Sequence, residues 1–217
     1  MTPEIQIVPD VEALDRAGAA EFVRLAGEAV VAKGSFTVAL SGGSTPKGQY
    51  ELLATDRLLR GRMPWDKIHV FWGDERHVPP TDAESNYRMT HEALLSKVPI
   101  PPAHVYRIKS EHPDAGQAAH DYEHMLREFF QVAAGEVPRF DLVFLGLGPE
   151  AHTASLFPGT KALHETKCLV VSNWIGKFFT DRITMTPPIL NHAACVVFLV
   201  SGKDKALPLK AVLEGPY

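Results

Sequence analysis

Four short stretches of this chain combine residue types that can do chemistry. The richest is Gly146-Leu147-Gly148-Pro149-Glu150-Ala151-His152-Thr153-Ala154-Ser155-Leu156-Phe157-Pro158-Gly159. It places His152 just past an apolar run, with the Glu150 carboxylate two residues before it. Imidazole titrates near neutral pH, and a nearby carboxylate sets its tautomer and raises its basicity, so the pair suits general-base work. The plainer reading makes His152 a cap on a following short helix. Ser155 and Gly159 do not form a nucleophile elbow, so a serine hydrolase is not indicated.

The other three stretches read as anion sites. In Ser41-Gly42-Gly43-Ser44-Thr45-Pro46, adjacent glycines let the backbone approach a ligand. A helix opening there presents unpaired N–H groups and the positive end of its dipole, which suits phosphate. The hydroxyls of Ser44 and Thr45 can add hydrogen bonds; an ordinary tight strand-to-helix turn is the even alternative. Asp74-Glu75-Arg76 follows another apolar run, and arginine is suited to bidentate phosphate contact. Taken alone, such a cluster is more often a surface salt bridge among neighbours. Lys205, in Ser201-Gly202-Lys203-Asp204-Lys205-Ala206, stands near a helix start, where it reaches a phosphate or is simply solvated.

These stretches need elements that bring them together. Val11, Leu14, Gly18, Phe22, Leu25 and Ala29 form one apolar stripe, which predicts a helix over 11–31 with Asp10 as its cap and Lys33-Gly34 at its end. A buried strand is expected at 35–40, then a helix with Thr45 as N-cap and Pro46 at its first position, running to about Leu59. The rhythm continues with a strand at 68–72, a helix at 84–95 broken by Pro99-Ile100-Pro101-Pro102, and a helix at 114–134. Strands are expected at 141–145, 168–172 and 195–200, and a last helix from near Gly202 toward Leu213. Strands alternating with helices predict an α/β fold: a three-layer αβα sandwich around a mostly parallel, Rossmann-like doubly wound sheet. Ligands of such sheets bind at the carboxyl ends of the strands, where all four stretches fall.

Bulk properties narrow the partners. The 217 residues, 45% hydrophobic and 22% charged, suit one domain spanning 1–217 with a substantial core. A net charge of −4 offers no basic field for nucleic acid. No apolar run approaches the roughly 20 residues of a membrane helix, and Met1-Thr2-Pro3-Glu4 does not open a signal peptide, so the cytoplasm is the default. Cys195, in an apolar run, reads as a buried free thiol rather than half of a bridge to Cys168. His120 and His124 are four apart on a helix, yet no glutamate follows His120 and no third ligand is evident, so a solvated face is expected and no metal.

Taken in order, Ser41 to Pro46, Trp72-Gly73-Asp74-Glu75-Arg76-His77-Val78-Pro79, Glu84-Ser85-Asn86-Tyr87, His152 to Gly159, Arg182-Ile183-Thr184-Met185-Thr186 and Ser201 to Ala206 resemble the 6-phosphogluconolactonase family. The resemblance spans nearly the whole chain. It implies hydrolysis of 6-phospho-D-glucono-1,5-lactone to 6-phosphogluconate in the oxidative pentose phosphate pathway, without metal or organic cofactor. It implies His152 as catalytic base with Glu150 beside it. Arg76 and Lys205 become ligands of the substrate phosphate, Gly42, Gly43, Ser44 and Thr45 pocket lining, and Asn86 and Arg182 groups that shape the pocket. The partner is then a small phosphorylated sugar lactone, not nucleic acid or membrane, and the protein a monomer or small homo-oligomer.

Two places depart from the family's pattern. Glu150-Ala151 stands where Asp-Gly is usual, so a turn needing positive φ would be strained at alanine. The chain stops at Leu213-Glu214-Gly215-Pro216-Tyr217, where the family usually continues with a final strand, so the family's C-terminal end is expected to be missing and a sheet edge to be uncapped. The related glucosamine-6-phosphate deaminases would carry Ala-Phe-Asn-Glu-Pro after the histidine and tyrosine in place of Arg76. A non-catalytic sugar-phosphate-binding protein is the rival of another class.

Overall fold

The computed structural model describes residues 4–215. Met1-Thr2-Pro3 and Pro216-Tyr217, which the expectations about a leader and the chain end draw on, lie outside them. Helix α1 (Val11–Lys33) starts and stops as its sequence dictates. The Asp10 carboxylate accepts from the Ala13 N–H at 2.8 Å, and Gly34 closes the helix in the left-handed region at φ 83°. Strand β1 (Phe36–Leu40) follows and is buried at every position, so both faces of the sheet are covered.

The expected helix over 46–59 divides in two. α2 (Ser44–Thr55) has Gly43, not Thr45, as its N-cap, and Pro46 lies within its first turn. Asp56 then caps α3 (Arg57–Arg62), accepting from the N–H groups of Leu58 and Leu59 at 2.9 and 3.1 Å. A carboxylate that captures two N–H groups in this way ends one helix and begins another.

β2 (Ile68–Trp72) lies parallel to β1, with Phe36 opposite Ile68 and Leu40 opposite Trp72. α4 (Asn86–Ala93) and α5 (Ala115–Phe130) are shorter than expected: Ser85 and Asp114 serve as their N-caps, and Gln131, in the left-handed region at φ 52°, closes α5 before residue 134. β4 (Leu142–Gly146) pairs in parallel with the other side of β1, and β7 (Val196–Leu199) pairs in parallel with β4. The central sheet therefore has the order β2-β1-β4-β7, all parallel, and the fold is the expected α/β class.

A second, antiparallel sheet was not foreseen. It has the order β3-β6-β5, built from β3 (Asp74–Arg76), β5 (Val170–Ile175) and β6 (Thr180–Met185). The strand expected at 168–172 belongs here, shifted to β5. The reason is the connection: residues 176–179 are too few for a crossover, and a short turn can join only antiparallel neighbours. Gly73 carries the chain from one sheet to the other. Its N–H donates to the Leu40 carbonyl at 2.9 Å, and its own carbonyl accepts from Met185 at 2.8 Å.

One hydrophobic core runs from α1 through the parallel strands to α5 and β6, with Phe22, Phe36, Phe71, Phe140, Phe144 and Trp72 among its largest buried side chains. Offset and edge-on ring pairs fill it, such as Phe71 against Tyr106 at 4.6 Å and Phe140 at 5.2 Å. At the other edge β7, which follows the short helix α6 (Pro187–Asn191), leaves Phe198 53% exposed, and helix α7 (Ala206–Glu214) buries none of its side chains among the described residues. No described helix is long and apolar enough to cross a membrane.

Candidate active site

In the central sheet the chain leaves β1 toward β2 on one side, and leaves β4 to return at β7 on the other. The order reverses between β1 and β4, and the loops beyond their carboxyl ends must diverge there, opening a crevice. A cleft of about 220 Å³ occupies that position, between the Ser41–Pro46 loop and the Gly146–Ala154 loop. Gly42, Gly43, Ser44, Thr45, Arg76, Asn86, His152, Arg182 and Lys205 all line it, so the structure brings together nine of the ten anticipated residues. Glu150 does not line the cleft; it stands behind His152.

His152 is held from three sides. Its ring stacks on Phe157, with centroids 3.8 Å apart and planes 18° from parallel. Gly148 also packs against the ring: a Cβ there would meet it at 2.0 Å, so only glycine fits. The backbone closes around it, with the Gly148 N–H donating to the His152 carbonyl at 2.7 Å. No helix follows, so His152 is not a helix cap; the chain turns through Thr153 to Leu156 instead.

Glu150 Oε2 lies 3.2 Å from His152 Nδ1, although the angle falls short of a completed hydrogen bond. Nδ1 is otherwise buried without a partner, which leaves Nε2 as the nitrogen open to the cleft. Burial lowers the imidazole pKa, against the opposing pull of the Glu150 and Asp74 carboxylates. The net result favours the neutral ring, the form able to accept a proton.

The turn ahead of His152 is strained. Ala151 takes φ 60°, a left-handed conformation that alanine adopts only at a cost, so the backbone keeps a glycine-like shape with alanine in place.

The Asp74-Glu75-Arg76 segment is not a surface cluster. Asp74 and Glu75 are 7% and 1% exposed, because Gly73 delivers them into the small sheet. Asp74 Oδ2 accepts from Ser155 Oγ at 2.6 Å, and its carbonyl accepts from Asn86 Nδ2 at 2.9 Å. Asn86 in turn presses on Gly42, where a Cβ would meet Asn86 Oδ1 at 1.7 Å. Glu75 faces the other way and braces α4. It accepts from the N–H groups of Arg76, Asn86 and Tyr87 and from Ser85 Oγ, at 2.7 to 3.0 Å. Burial pushes its pKa up, while those donors and the helix N-terminus favour the charged form.

Residues two apart on a strand share a face. Asp74 and Arg76 therefore both meet the cleft, and Arg182 stands opposite Arg76 on β6. Lys205 joins them from the turn before α7; its side chain is 19% exposed and its ammonium is 2.7 Å from Asp204 Oδ2. One imidazole and three cations thus surround one cleft. Asp74, its Ser155 partner and the Lys177–Glu150 ion pair were not anticipated as site groups. Nothing periodic marks Asp74, since β3 has only three residues, and nothing local marks Lys177.

His120 and His124 lie on a solvated face of α5, as expected, with side chains 74% and 65% exposed. No cluster of three or more His, Cys, Asp or Glu able to hold a metal occurs among the described residues. Cys168 and Cys195 are free thiols, as expected, but Cys195 is half-buried and not buried.

An open parallel sheet whose switch-point cleft is lined by one imidazole and three cationic side chains places the chain among α/β proteins with a charged cleft at the strand tips. The chain belongs to the glucosamine-6-phosphate isomerase/6-phosphogluconolactonase family, whose model matches residues 9–217. It is 44% identical over 207 residues to 6-phosphogluconolactonase of Synechocystis sp., covering 94% of this chain and 82% of that protein. It is 41% identical over 213 residues to the Nostoc sp. 6-phosphogluconolactonase, covering 98% and 85%. The solved structure of 6-phosphogluconolactonase from Trypanosoma brucei superposes with a TM-score of 0.88 at 30% identity, covering 99% of this chain and 88% of that one.

Proposed function

We propose that this protein hydrolyses 6-phospho-D-glucono-1,5-lactone to 6-phospho-D-gluconate, the lactone-opening step of the oxidative pentose phosphate pathway, with His152 as general base. One observation carries the reading: His152 opens onto the same cleft as Arg76, Arg182 and Lys205. A phosphate held by the cations sets the distance of the lactone carbonyl from the imidazole, and orientation of this kind supplies a large share of a rate enhancement.

The steps follow from the groups present. Neutral His152 Nε2 takes a proton from water as the water oxygen bonds to the lactone carbonyl carbon. The carbonyl oxygen becomes an oxyanion, steadied by backbone N–H groups of the Gly43–Ser44 helix start or by a neighbouring cation. Collapse re-forms the carbonyl and breaks the bond to the ring oxygen, which takes the proton back from His152. The product acid then ionises to the solvent. Glu150, facing Nδ1, keeps the proton on that nitrogen and steadies the transient imidazolium.

We further infer a single cofactor-free hydrolase domain acting in the cytoplasm, as a monomer or small homo-oligomer, on a phosphorylated lactone and not on nucleic acid or membrane. The continuous core beneath the cleft loops supports one domain.

A coupled assay on freshly prepared 6-phosphogluconolactone, corrected for spontaneous hydrolysis, tests the function. Enzyme-dependent turnover is expected, with no deamination of glucosamine 6-phosphate. Saturable binding of 6-phosphogluconate without lactone turnover would instead select a non-catalytic sugar-phosphate-binding protein.

A further inference from the structure

Glu150 sits in an ambiguous place. Its side chain is 25% exposed, so its carboxylate is within reach of both His152 and water. In this structure it does not turn to water. Oε2 faces Nδ1, and Oε1 accepts a hydrogen bond from Lys177 Nζ. Lys177 comes from the turn between β5 and β6, more than twenty residues further along the chain.

That turn is itself anchored. The Phe178 N–H donates to the Ile175 carbonyl at 3.0 Å. The Phe178 ring meets Phe157 edge-on at 6.0 Å, and Phe157 is the ring on which His152 stacks. The same Phe178 ring carries the Lys177 ammonium and the Arg182 guanidinium, each 5.5 Å from its centroid.

We propose that Lys177 is a positioning residue for His152: it tethers the Glu150 carboxylate against Nδ1 and so keeps the imidazole oriented and counter-charged. The proposal rests on the reading of His152 as general base. Lys177 does not touch the cleft, and its side chain is 62% exposed, so its ion pair contributes little to stability. Its effect is on where the carboxylate stands. Among the described residues, Lys177 and His152 are the charged or titratable groups in contact with Glu150. His152 also feels Asp74 from β3 and Arg182 from β6, with Arg76 and Lys205 on the same cleft. The Lys177 ammonium is the first cause holding the Glu150 pKa below the usual carboxylate value.

The test is an NMR titration of the His152 ring, assigned by its loss in His152→Ala, alongside lactonase kinetics. Lys177→Met is expected to lower the imidazole pKa, as Glu150→Gln does, because the counter-charge is released to water. Lys177→Arg restores it. In a Glu150→Gln background Lys177→Met shifts nothing further. In turnover, Lys177→Met lowers kcat on the order of tenfold while KM stays within about twofold, as expected when a base is misoriented and not when binding is lost. An imidazole pKa in Lys177→Met equal to or above wild type, or an undiminished shift in the Glu150→Gln background, overturns the tether. Absence of wild-type turnover would sink the lactonase reading alone, because the titration still decides the tether.

Discussion

Arg76 lies directly opposite Arg182 across β3 and β6, and the Nε of each is buried with no hydrogen-bond partner. Like charges opposed across a sheet repel. Burial, and then the Arg76 charge, lowers the pKa of the Arg182 guanidinium. Among the described residues, the Arg76 guanidinium reaches only the Glu84 backbone carbonyl and, at 3.7 Å, its carboxylate. An anion between the two guanidiniums would relieve the repulsion and give both forks a partner.

Ligand should therefore stabilise this fold strongly. At a concentration about a hundred times its Kd, 6-phosphogluconate is expected to add roughly 2.7 kcal/mol, read as a rise in Tm. Arg76→Met or Arg182→Met should cut kcat/KM on the phosphorylated lactone by about 1.5–3 kcal/mol, the range for hydrogen bonds to charged groups. On unphosphorylated gluconolactone the loss should be small. Equal losses on both lactones would remove the pair from phosphate recognition.

The pH profile follows from His152. Its pKa is lowered, chiefly by burial. The kcat/KM profile should stay level through neutrality and fall only below the ordinary imidazole value of about 6.5. Asp74→Asn removes a carboxylate that raises this pKa, so the acid limb should move to still lower pH. A limb at or above the ordinary value in the wild type contradicts the assignment.

Strain at Ala151 can be measured directly. Its φ of 60° and its N–H bond to the Gly148 carbonyl at 3.0 Å fix a left-handed turn. Ala151→Gly should raise thermal stability by up to about 1 kcal/mol, as relief of the steric clash outweighs the extra freedom of the unfolded chain. A lower Tm would show that the turn carries no strain.

Much of this site could be read from residue order alone. The apolar run of β1 ending in Ser41-Gly42-Gly43 and the run of β4 ending in Gly146-Leu147-Gly148 placed two loops at strand tips, and parallel pairing made them neighbours. His152 followed from position within such a loop, whereas Arg76 and Lys205, each a surface group when taken alone, were singled out by the resemblance in motif order. What was not legible depends on contacts made across the chain. The Asp56 cap splits a helix whose apolar pattern looked continuous. The antiparallel sheet escaped because β3 has three residues, too few to show alternation, and because the turn after β5 carries no paired glycine signal. Lys177 had no local signal, since only the hairpin brings it to Glu150.

A second acid effect is expected far from the cleft. The His69 and His104 rings pack at a tilt with centroids 4.1 Å apart, and Phe129 closes the same group at 5.0 Å from His69. Burial, with His104 adding, pushes the His69 pKa down to about 4. Between about 6.5 and that value the unfolded chain binds a proton that the native fold refuses, so stability rises with pH there and is lost as pH falls. Thermal melts at neutral and mildly acidic pH should differ less in His69→Phe than in wild type. An unchanged difference would mean that other groups govern acid stability.

The central claim is that a neutral imidazole at position 152 draws the proton from water. The most direct test is kcat of His152→Ala on fresh 6-phosphogluconolactone at neutral pH, with a circular dichroism melt to establish that the variant is folded. Loss of a general base should lower kcat by about 10²–10⁴-fold, with 6-phosphogluconate still bound and the melt retained. A folded variant turning over lactone at the wild-type rate would contradict the account.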